Sequence, residues 1–303
     1  MSVRPGTHST RILRAAALLV GLCAVACSSA PAPPAAVPAT SPGPATSPVR
    51  ADPAATTRVV PQGPPHVTVS RIRTADGSVV TVAVFSGRVR YVLHNGSQDP
   101  GPAFPVRAGP VIGGAERGHL LAAFNGGFLL RSRAGGYEQE GHVFRALRHG
   151  LASLVIDRSG QARIGVWGVD VPAPGEAVYS VRQNLWPLVE NGQPTRQAAR
   201  WWRWGGTIGH AEYVARSALG QDASGDLIYA ASMSASPEDL AVALARSGAR
   251  IAMELDINPE WVQLAVSRTA GGPLKAPIPG QVRPPTQYLT GWTRDFITVL
   301  TPR

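Results

Sequence analysis

Short segments of alternating apolar and polar residues, separated by turns that contain glycine, constrain the fold of this chain most strongly. Three pairs of segments show the pattern: 66–72 with 79–85, 153–157 with 162–167, and 216–220 with 226–231. Alternation on both sides of a short glycine turn is typical of β-hairpins, because successive side chains of a strand point to opposite faces. The chain is therefore predicted to be rich in strands.

One helix is expected in the second half of the chain. Ser236 can cap its start, Pro237 suits its first position, and Asp239 completes a capping box with Ser236. An apolar stripe follows, and Gly248 is the expected stop.

The predicted fold class is α+β: a single strand-rich domain with mixed β-sheet and few helices, which spans residues 66–303. A signal peptide at 1–26 and a disordered linker at 27–65 are predicted to precede it. The linker consists mainly of Pro, Ala, Ser and Thr, which bury too little apolar surface to offset the entropy of ordering. The domain itself is long enough to bury a substantial core.

The N-terminus has the features of an export signal. Basic residues precede an apolar run at 15–22, which is too short to cross a bilayer and is followed by small residues up to Cys27. Ala24-Val25-Ala26-Cys27 resembles a bacterial lipobox, so Cys27 is the predicted lipidation site and the exported protein is expected to be anchored at the extracellular face of the cell membrane. The alternative is ordinary cleavage after Ala26, which releases a secreted protein.

The amino-acid composition excludes some kinds of chemistry and makes some binding partners more plausible than others. Cys23 and Cys27 are the only cysteines, so the processed domain has no thiol for a disulfide, a zinc–cysteine site or a nucleophile. The net charge of +10 comes from scattered arginines, and Lys275 is the only lysine. In an exported chain this charge favours anionic wall polymers or phosphorylated glycans over nucleic acid as partners.

Two short motifs carry candidate chemistry. Asn125-Gly126-Gly127-Phe128 follows a predicted buried strand and lets the backbone approach a ligand closely, although such a sequence also forms ordinary turns. The segment 251–257 is predicted to be a strand with Glu254 and Asp256 on one face. Two carboxylates beside apolar residues either pair with an arginine such as Arg216, line a cleft or face solvent.

The order of these motifs resembles the phosphodiester glycosidase family. An Asn-Gly-Gly-Phe turn at 125–128, a strand that begins Arg216-Ser217-Ala218 and a later Glu254-Leu255-Asp256 follow one another as they do in that family. The segments 183–192 and 292–296 also fit, the second as the final strand, so the resemblance covers the whole predicted domain. It implies a cell-surface glycosidase that hydrolyses sugar-1-phosphodiester linkages of envelope or extracellular glycans.

The resemblance also implies roles for individual residues. The catalytic set is Asp256 as the leading carboxylate, Glu254 or Asp295 as its partner, and His210 as a candidate proton donor. The substrate-binding set is Arg216 for the phosphate, with Asn125, Gly126 and Gly127 for the sugar or the leaving group. The sequence requires no metal or other cofactor, although oxygen ligands near Asp256 could hold Ca²⁺.

The chain departs from the family pattern directly after Asp256. The family has a glycine-rich turn there, whereas this chain has Ile257-Asn258-Pro259-Glu260-Trp261. Pro259 has no N–H donor, so successive backbone amides cannot form an anion cradle in the same way, and Trp261 is predicted to be a stacking platform for substrate. The change favours a second hypothesis, a non-catalytic lipoprotein of the same fold that binds carbohydrate or wall polymer.

Overall fold

A computed structural model describes residues 60–206 and 208–302. The predicted signal peptide at 1–26, the lipidation site Cys27 and the predicted linker up to residue 59 lie outside the described residues. The first strand begins at His66, and the described chain is strand-rich with few helices, which confirms that part of the predicted fold class. No helix in this part of the chain is long and apolar enough to span a membrane.

Strands account for most of the regular structure. In chain order they are β1 (His66–Arg73), β2 (Val79–Ser86), β3 (Arg90–His94), β4 (Leu120–Asn125), β5 (Tyr137–Gln139), β6 (His142–Arg145), β7 (Ala152–Ile156), β8 (Ala162–Val166), β9 (Ser180–Gln183), β10 (Pro187–Glu190), β11 (Gln193–Pro194), β12 (Val214–Gln221), β13 (Leu227–Ala235), β14 (Ile251–Glu254), β15 (Leu264–Val266) and β16 (Phe296–Leu300). The α-helices are α1 (Gly114–Arg117), α2 (Pro237–Arg246) and α3 (Gln287–Thr290), and 3-10 turns lie at Leu130–Ser132, Trp201–Arg203 and Ile208–His210.

The strands of the described chain form three sheets, with the orders β1-β2-β13-β12-β14-β10-β11, β15-β4-β16-β3 and β6-β5-β9-β7-β8. All of the named strands pair antiparallel, and parallel pairing within the described residues is confined to isolated bridges such as Asp99 with Arg294. The three predicted hairpins are confirmed as β1–β2, β7–β8 and β12–β13. Mixed pairing was expected, whereas the sheets are antiparallel. Hairpin connections explain this for pairs of consecutive strands such as β1–β2, but the four-stranded sheet pairs no consecutive strands and is antiparallel as well.

The central strands of the seven-stranded sheet are buried on both faces, whereas the edge strand β1 is largely exposed. Ala83 and Phe85 of β2 belong to a core shared with the other two sheets, where Phe85 stacks on Phe124 of β4 with ring centroids 5.5 Å apart. Val80 and Val82 of the same strand belong to a second core on the opposite face, which the apolar side of α2 covers. Burial of each large apolar side chain contributes about 1.5–3 kcal/mol, so both faces stabilise the sheet that carries β12 and β14.

Helix α2 begins as predicted. Ser236 Oγ accepts a hydrogen bond from Asp239 N at 3.1 Å, and Asp239 Oδ2 accepts one from Ser236 N at 2.9 Å. Pro237 is its first residue, and Gly248, with a φ of 97°, follows its last turn. The capping box and the glycine stop therefore set the position of this helix from local interactions alone.

Strand β14 is shorter than predicted. The strand expected over 251–257 ends at Glu254, because the Asp256 carboxylate accepts hydrogen bonds from Ile257 N at 2.7 Å and Asn258 N at 3.2 Å and turns the chain. The prediction that Glu254 and Asp256 share one strand is wrong for this reason. Asp256 instead follows the end of the strand, while its backbone oxygen still accepts from Ser217 N on β12.

Candidate functional site

The ends of β4 and β14 and the segment that leads into β16 meet on one side of the domain. Asn125 at the end of β4 donates from Nδ2 to Ser217 Oγ on β12 at 2.8 Å. Arg294, just before β16, donates from Nη2 to Gly127 O at 2.9 Å and to Asp256 Oδ2 at 3.1 Å. These contacts bring the Asn-Gly-Gly turn, the residues after β14 and the segment 292–296 together.

A buried ion pair lies behind the glycine turn. Arg182 Nε of β9 is 2.7 Å from Asp295 Oδ2, and both side chains are 1% exposed. Asp295 Oδ2 also accepts from Gly127 N at 3.3 Å, and Arg182 donates to the backbone oxygens of Gln183 and Phe128. Asp295 is thus fully engaged within the protein.

The two glycines are explained by this ion pair. A Cβ atom at Gly126 would lie 1.9 Å from Asp295 Oδ2, and one at Gly127 would lie 2.9 Å from Arg182 Cζ. The sequence predicted that a ligand could approach this turn closely. In the structure, side chains of the protein itself lie there instead. Neither Gly126 nor Gly127 lines the cavity described below.

Asn125 is likewise occupied inside the protein. Its Oδ1 accepts from the Tyr229 hydroxyl at 2.8 Å and from Gln263 N at 3.1 Å, while its Nδ2 donates to Ser217 Oγ and Gly126 O. The side chain is 2% exposed. It ties β4 to β12 and β13 and has no free donor or acceptor for a sugar in this arrangement.

Arg216 and Glu254 form a second buried ion pair. Arg216 Nη1 is 2.8 Å from Glu254 Oε1, and both side chains are 0% exposed. Arg216 also donates to Ala235 O and Trp204 O. Burial raises the pKa of Glu254 to about 7, against the opposing effect of the Arg216 guanidinium. Arg216 is enclosed and its three guanidinium nitrogens all donate to protein oxygens, so in this structure it pairs with a carboxylate, the alternative to the phosphate clamp that the sequence left open.

Asp256 is paired with an arginine that the sequence motifs did not single out. Arg294 Nη2 lies 3.1 Å from Asp256 Oδ2, and the guanidinium carbon sits 4.0 Å from the centroid of the Trp261 ring. Burial raises the pKa of Asp256 to about 6, although Arg294 and the Ile257 and Asn258 amides oppose this rise. Arg294 Nε and Nη1 are buried and have no hydrogen-bond partner among the described residues, although Asp99 Oδ2 lies 3.6 Å from Nε.

A cavity of about 390 Å³ is lined by Asp256 of this pair, while Arg294 lies behind its wall. Asp256 is the only carboxylate among the described residues that line it, and its apolar walls include Phe128, Ile257, Pro259 and Trp261. Apolar walls with few polar groups are typical of pockets that bind small molecules. Trp261, predicted to be a stacking platform for substrate, lines this cavity.

The remaining predicted features lie apart from the cavity. His210 is exposed in the 3-10 turn Ile208–His210 and does not line the cavity. Within the described residues, no group of three or more His, Cys, Asp or Glu side chains is placed to hold a metal ion. Of the candidate residues, Asp256 and Trp261 therefore reach the cavity, and Glu254, Asp295, Arg216 and Asn125 are packed behind it.

Sequence reasoning missed Arg182 and Arg294. Each directly neighbours a segment that the family resemblance identified: Arg182 precedes 183–192, and Arg294 stands beside Asp295 within 292–296. Buried carboxylates need partners of opposite charge. An arginine directly beside a recognised motif is therefore the signal that could have identified Arg182 and Arg294.

The fold and the site define a class, a strand-rich α+β domain in which a cavity adjoins a buried aspartate–arginine pair. No protein-family model matches the chain, and no curated protein matches it in sequence. Among solved structures it is similar to the auto-inhibited catalytic domain of zebrafish N-acetylglucosamine-1-phosphodiester α-N-acetylglucosaminidase, 14% identical, covering 79% of this chain and 83% of that chain with a TM-score of 0.46. It is also similar to a hypothetical protein from Synechocystis, 15% identical, covering 78% of this chain and 62% of that chain with a TM-score of 0.47. Likeness at this level establishes neither family membership nor activity.

Proposed function

We propose that this chain is a hydrolase that cleaves sugar-1-phosphodiester linkages in the Asp256 cavity. The observation that carries the proposal is Asp256 in the cavity wall, with the pKa of its carboxyl group raised to about 6 and a buried arginine beside it. A carboxylate with a pKa near neutrality is suited to proton transfer at physiological pH. The ordered motifs shared with phosphodiester glycosidases support the same reaction class.

Asp256 would act as a general base. Its ionised carboxylate takes a proton from water as the water oxygen attacks the anomeric carbon, and the bond from that carbon to the phosphate oxygen breaks. The bonding electrons leave with the phosphate as a phosphomonoester, which is a weak base and departs without prior protonation. One carboxylate at the cavity is therefore sufficient, whereas glycosidases that expel an alcohol use two.

Arg294 takes the role first assigned to Arg216. Its guanidinium has two buried nitrogens, Nε and Nη1, with no hydrogen-bond partner among the described residues, and it contacts both Asp256 and Trp261 of the cavity wall. A planar guanidinium can bind two phosphate oxygens at once. Arg294 would stabilise the negative charge on the departing phosphate, while Trp261 and Phe128 contact the apolar face of the sugar.

The location and the partners belong to the same proposal. An exported protein held by a lipid on Cys27 would reach phosphorylated glycans or wall polymers at the cell surface, and a net charge of +10 favours such anionic polymers.

A non-catalytic carbohydrate-binding lipoprotein is the second candidate function. One observation favours it: the other two candidate carboxylates, Glu254 and Asp295, are closed in ion pairs and leave Asp256 as the only one at the cavity among the described residues. A cavity with aromatic and proline walls can bind a sugar without cleaving it.

Turnover of a panel of sugar-1-phosphodiesters by the full chain distinguishes the two functions. We expect Asp256→Asn to lower kcat by about 100-fold or more, because the amide cannot accept the proton. Glu260→Gln is the matched control, since Glu260 is exposed and pairs only with the exposed Arg283, and it should leave kcat unchanged. Arg294→Lys should lower kcat as well as raise KM, because a point charge cannot reproduce the fork of the guanidinium on the bound phosphodiester or on the departing phosphate.

Two results would contradict the proposed function. Wild-type protein that binds wall glycans but turns over no member of the panel would establish the binding function instead. Full activity in a folded Asp256→Asn variant, with folding checked by circular dichroism, would remove Asp256 from the reaction.

A further inference from the structure

A second cavity of about 660 Å³ adjoins the Asp256 cavity. Met233 of β13 contributes to the walls of both cavities. The successive residues Tyr213 and Val214 line the second and the first cavity, respectively. The two cavities are therefore neighbours that share Met233 in their walls.

The second cavity has a mixed aromatic and polar lining. Tyr213 is 47% exposed and presents a ring at the wall, while Asp76, Ser78 and Ser234 contribute carboxylate and hydroxyl groups. Asp76 is held in place because it accepts hydrogen bonds from Thr74 Oγ1 and, at 3.1 Å, from Ser78 Oγ. The Thr74 hydroxyl lowers the pKa of Asp76 to about 2, so this carboxylate is ionised at neutral pH.

The charge of this lining selects against anions. No arginine, lysine or histidine is among the described residues that line the second cavity, and Asp76 supplies a negative charge. The Asp76 carboxylate therefore disfavours a phosphate at this wall, although Arg73 donates from Nη1 to Gly77 O of the lining at 3.1 Å. The Asp256 cavity instead has Arg294 behind its wall. A carboxylate and hydroxyls that accept hydrogen bonds, next to an exposed aromatic ring, fit a neutral compound with many hydroxyl groups.

We propose that the second cavity binds a neutral sugar residue linked to the sugar that occupies the Asp256 cavity. The substrate is then a glycan chain that passes over Met233, with its phosphodiester at Asp256 and Arg294 and a further sugar stacked on Tyr213. This inference rests on the proposed function, because it names the substrate class of the same site.

Phosphodiesters of increasing length test the second cavity. The shortest member is glucose 1-phosphate methyl diester, and the longer members add one to three glucose units on the sugar side or on the alcohol side of the phosphate; parallel series use mannose and N-acetylglucosamine. We expect a lower KM for the longer members of a series extended on the sugar side, and no such gain on the alcohol side. Tyr213→Ala should raise that KM about tenfold, which corresponds to about 1.4 kcal/mol, and should leave the KM of the methyl diester unchanged.

Two further variants separate stacking from a general loss of structure. Tyr213→Phe retains the ring and should keep most of the preference for longer substrates. Phe104→Ala removes another exposed aromatic side chain, one that packs on His142 and Phe144 and lines neither cavity, and it should change no KM.

Binding of neutral sugars keeps the inference testable even if no phosphodiester is cleaved. Calorimetry with tetrasaccharides of the three sugars should show tighter binding than their monosaccharides in wild type and weaker binding in Tyr213→Ala. Absence of turnover together with this pattern would reject the proposed hydrolase and support the sugar-binding cavity. Equal KM values along every series, or tetrasaccharides that bind no better than monosaccharides, would overturn the inference.

Discussion

The substitution Gly126→Ala tests whether the Asp295–Arg182 ion pair dictates the glycine turn. A Cβ atom at position 126 would lie 1.9 Å from Asp295 Oδ2 and 2.9 Å from Asp295 O. The backbone oxygen cannot retreat without losing its hydrogen bond from Gly126 N, which is 2.9 Å long. The Asp295 carboxylate must therefore move, and Arg182 loses its partner.

The size of the effect follows from the burial of that pair. Arg182 and Asp295 are each 1% exposed, so separating them leaves two charges without a partner inside the protein. Breaking a buried pair of this kind costs about 3–5 kcal/mol. In a domain of this size each kcal/mol lowers Tm by about 2–4 °C, so we expect Gly126→Ala to lower Tm by about 6–20 °C.

Thermal unfolding followed by circular dichroism measures this loss, with two further glycine variants for comparison. Gly118→Ala is the matched control, because no atom lies within 4 Å of the added Cβ and its φ of −64° suits alanine; its Tm should stay level or rise slightly. Gly127→Ala should fall between the two, since its Cβ meets the Arg182 side chain at 2.9 Å. Equal Tm values for Gly126→Ala and Gly118→Ala would refute the reasoning.

Three further predictions concern the site and the anchor. If Asp256 must be ionised to act as a base, kcat should rise about tenfold per pH unit below its raised pKa of about 6 and level off above it, and a flat profile from pH 4 to 8 would contradict this role. Arg216→Lys should lower Tm, because the shorter cation cannot keep all the contacts of the buried guanidinium, yet leave KM unchanged in the folded protein; a KM increase alone would return Arg216 to the substrate site. Cys27→Ala should move the protein from the membrane fraction to the medium or block its processing, and retention at unchanged mass would rule out lipidation at this position.

Elements set by local interactions could be predicted from the sequence. The hairpins β1–β2, β7–β8 and β12–β13 follow from alternation around a glycine turn, and the start of α2 follows from Ser236 and Asp239, three residues apart. The end of β14 could not be predicted in the same way. Its alternation continues to Ile257, and only the side-chain hydrogen bonds of Asp256 stop the strand at Glu254.

Several segments that the family resemblance singled out meet in the structure. The Asn-Gly-Gly turn, Asp256 and the segment 292–296 do meet, and Trp261 does reach the cavity. Their individual roles did not follow, because a motif does not state whether its side chain faces a ligand or a neighbouring strand. Asn125 and Arg216 face the protein interior, where their polar groups are already bonded.

The sequence by itself determined the strand-rich character of the domain, its local caps and turns, and the presence of carboxylates that had to find partners. Only the tertiary structure decided those partners: Arg182 for Asp295, 113 positions away, and Arg294 for Asp256, 38 positions away. The arginines are scattered along the chain, and the local sequence does not indicate which arginine pairs with which carboxylate. The tertiary structure selects among them by burial. A charge removed from water is stable only beside an opposite charge, and the packing of the sheets brings that partner within hydrogen-bond distance.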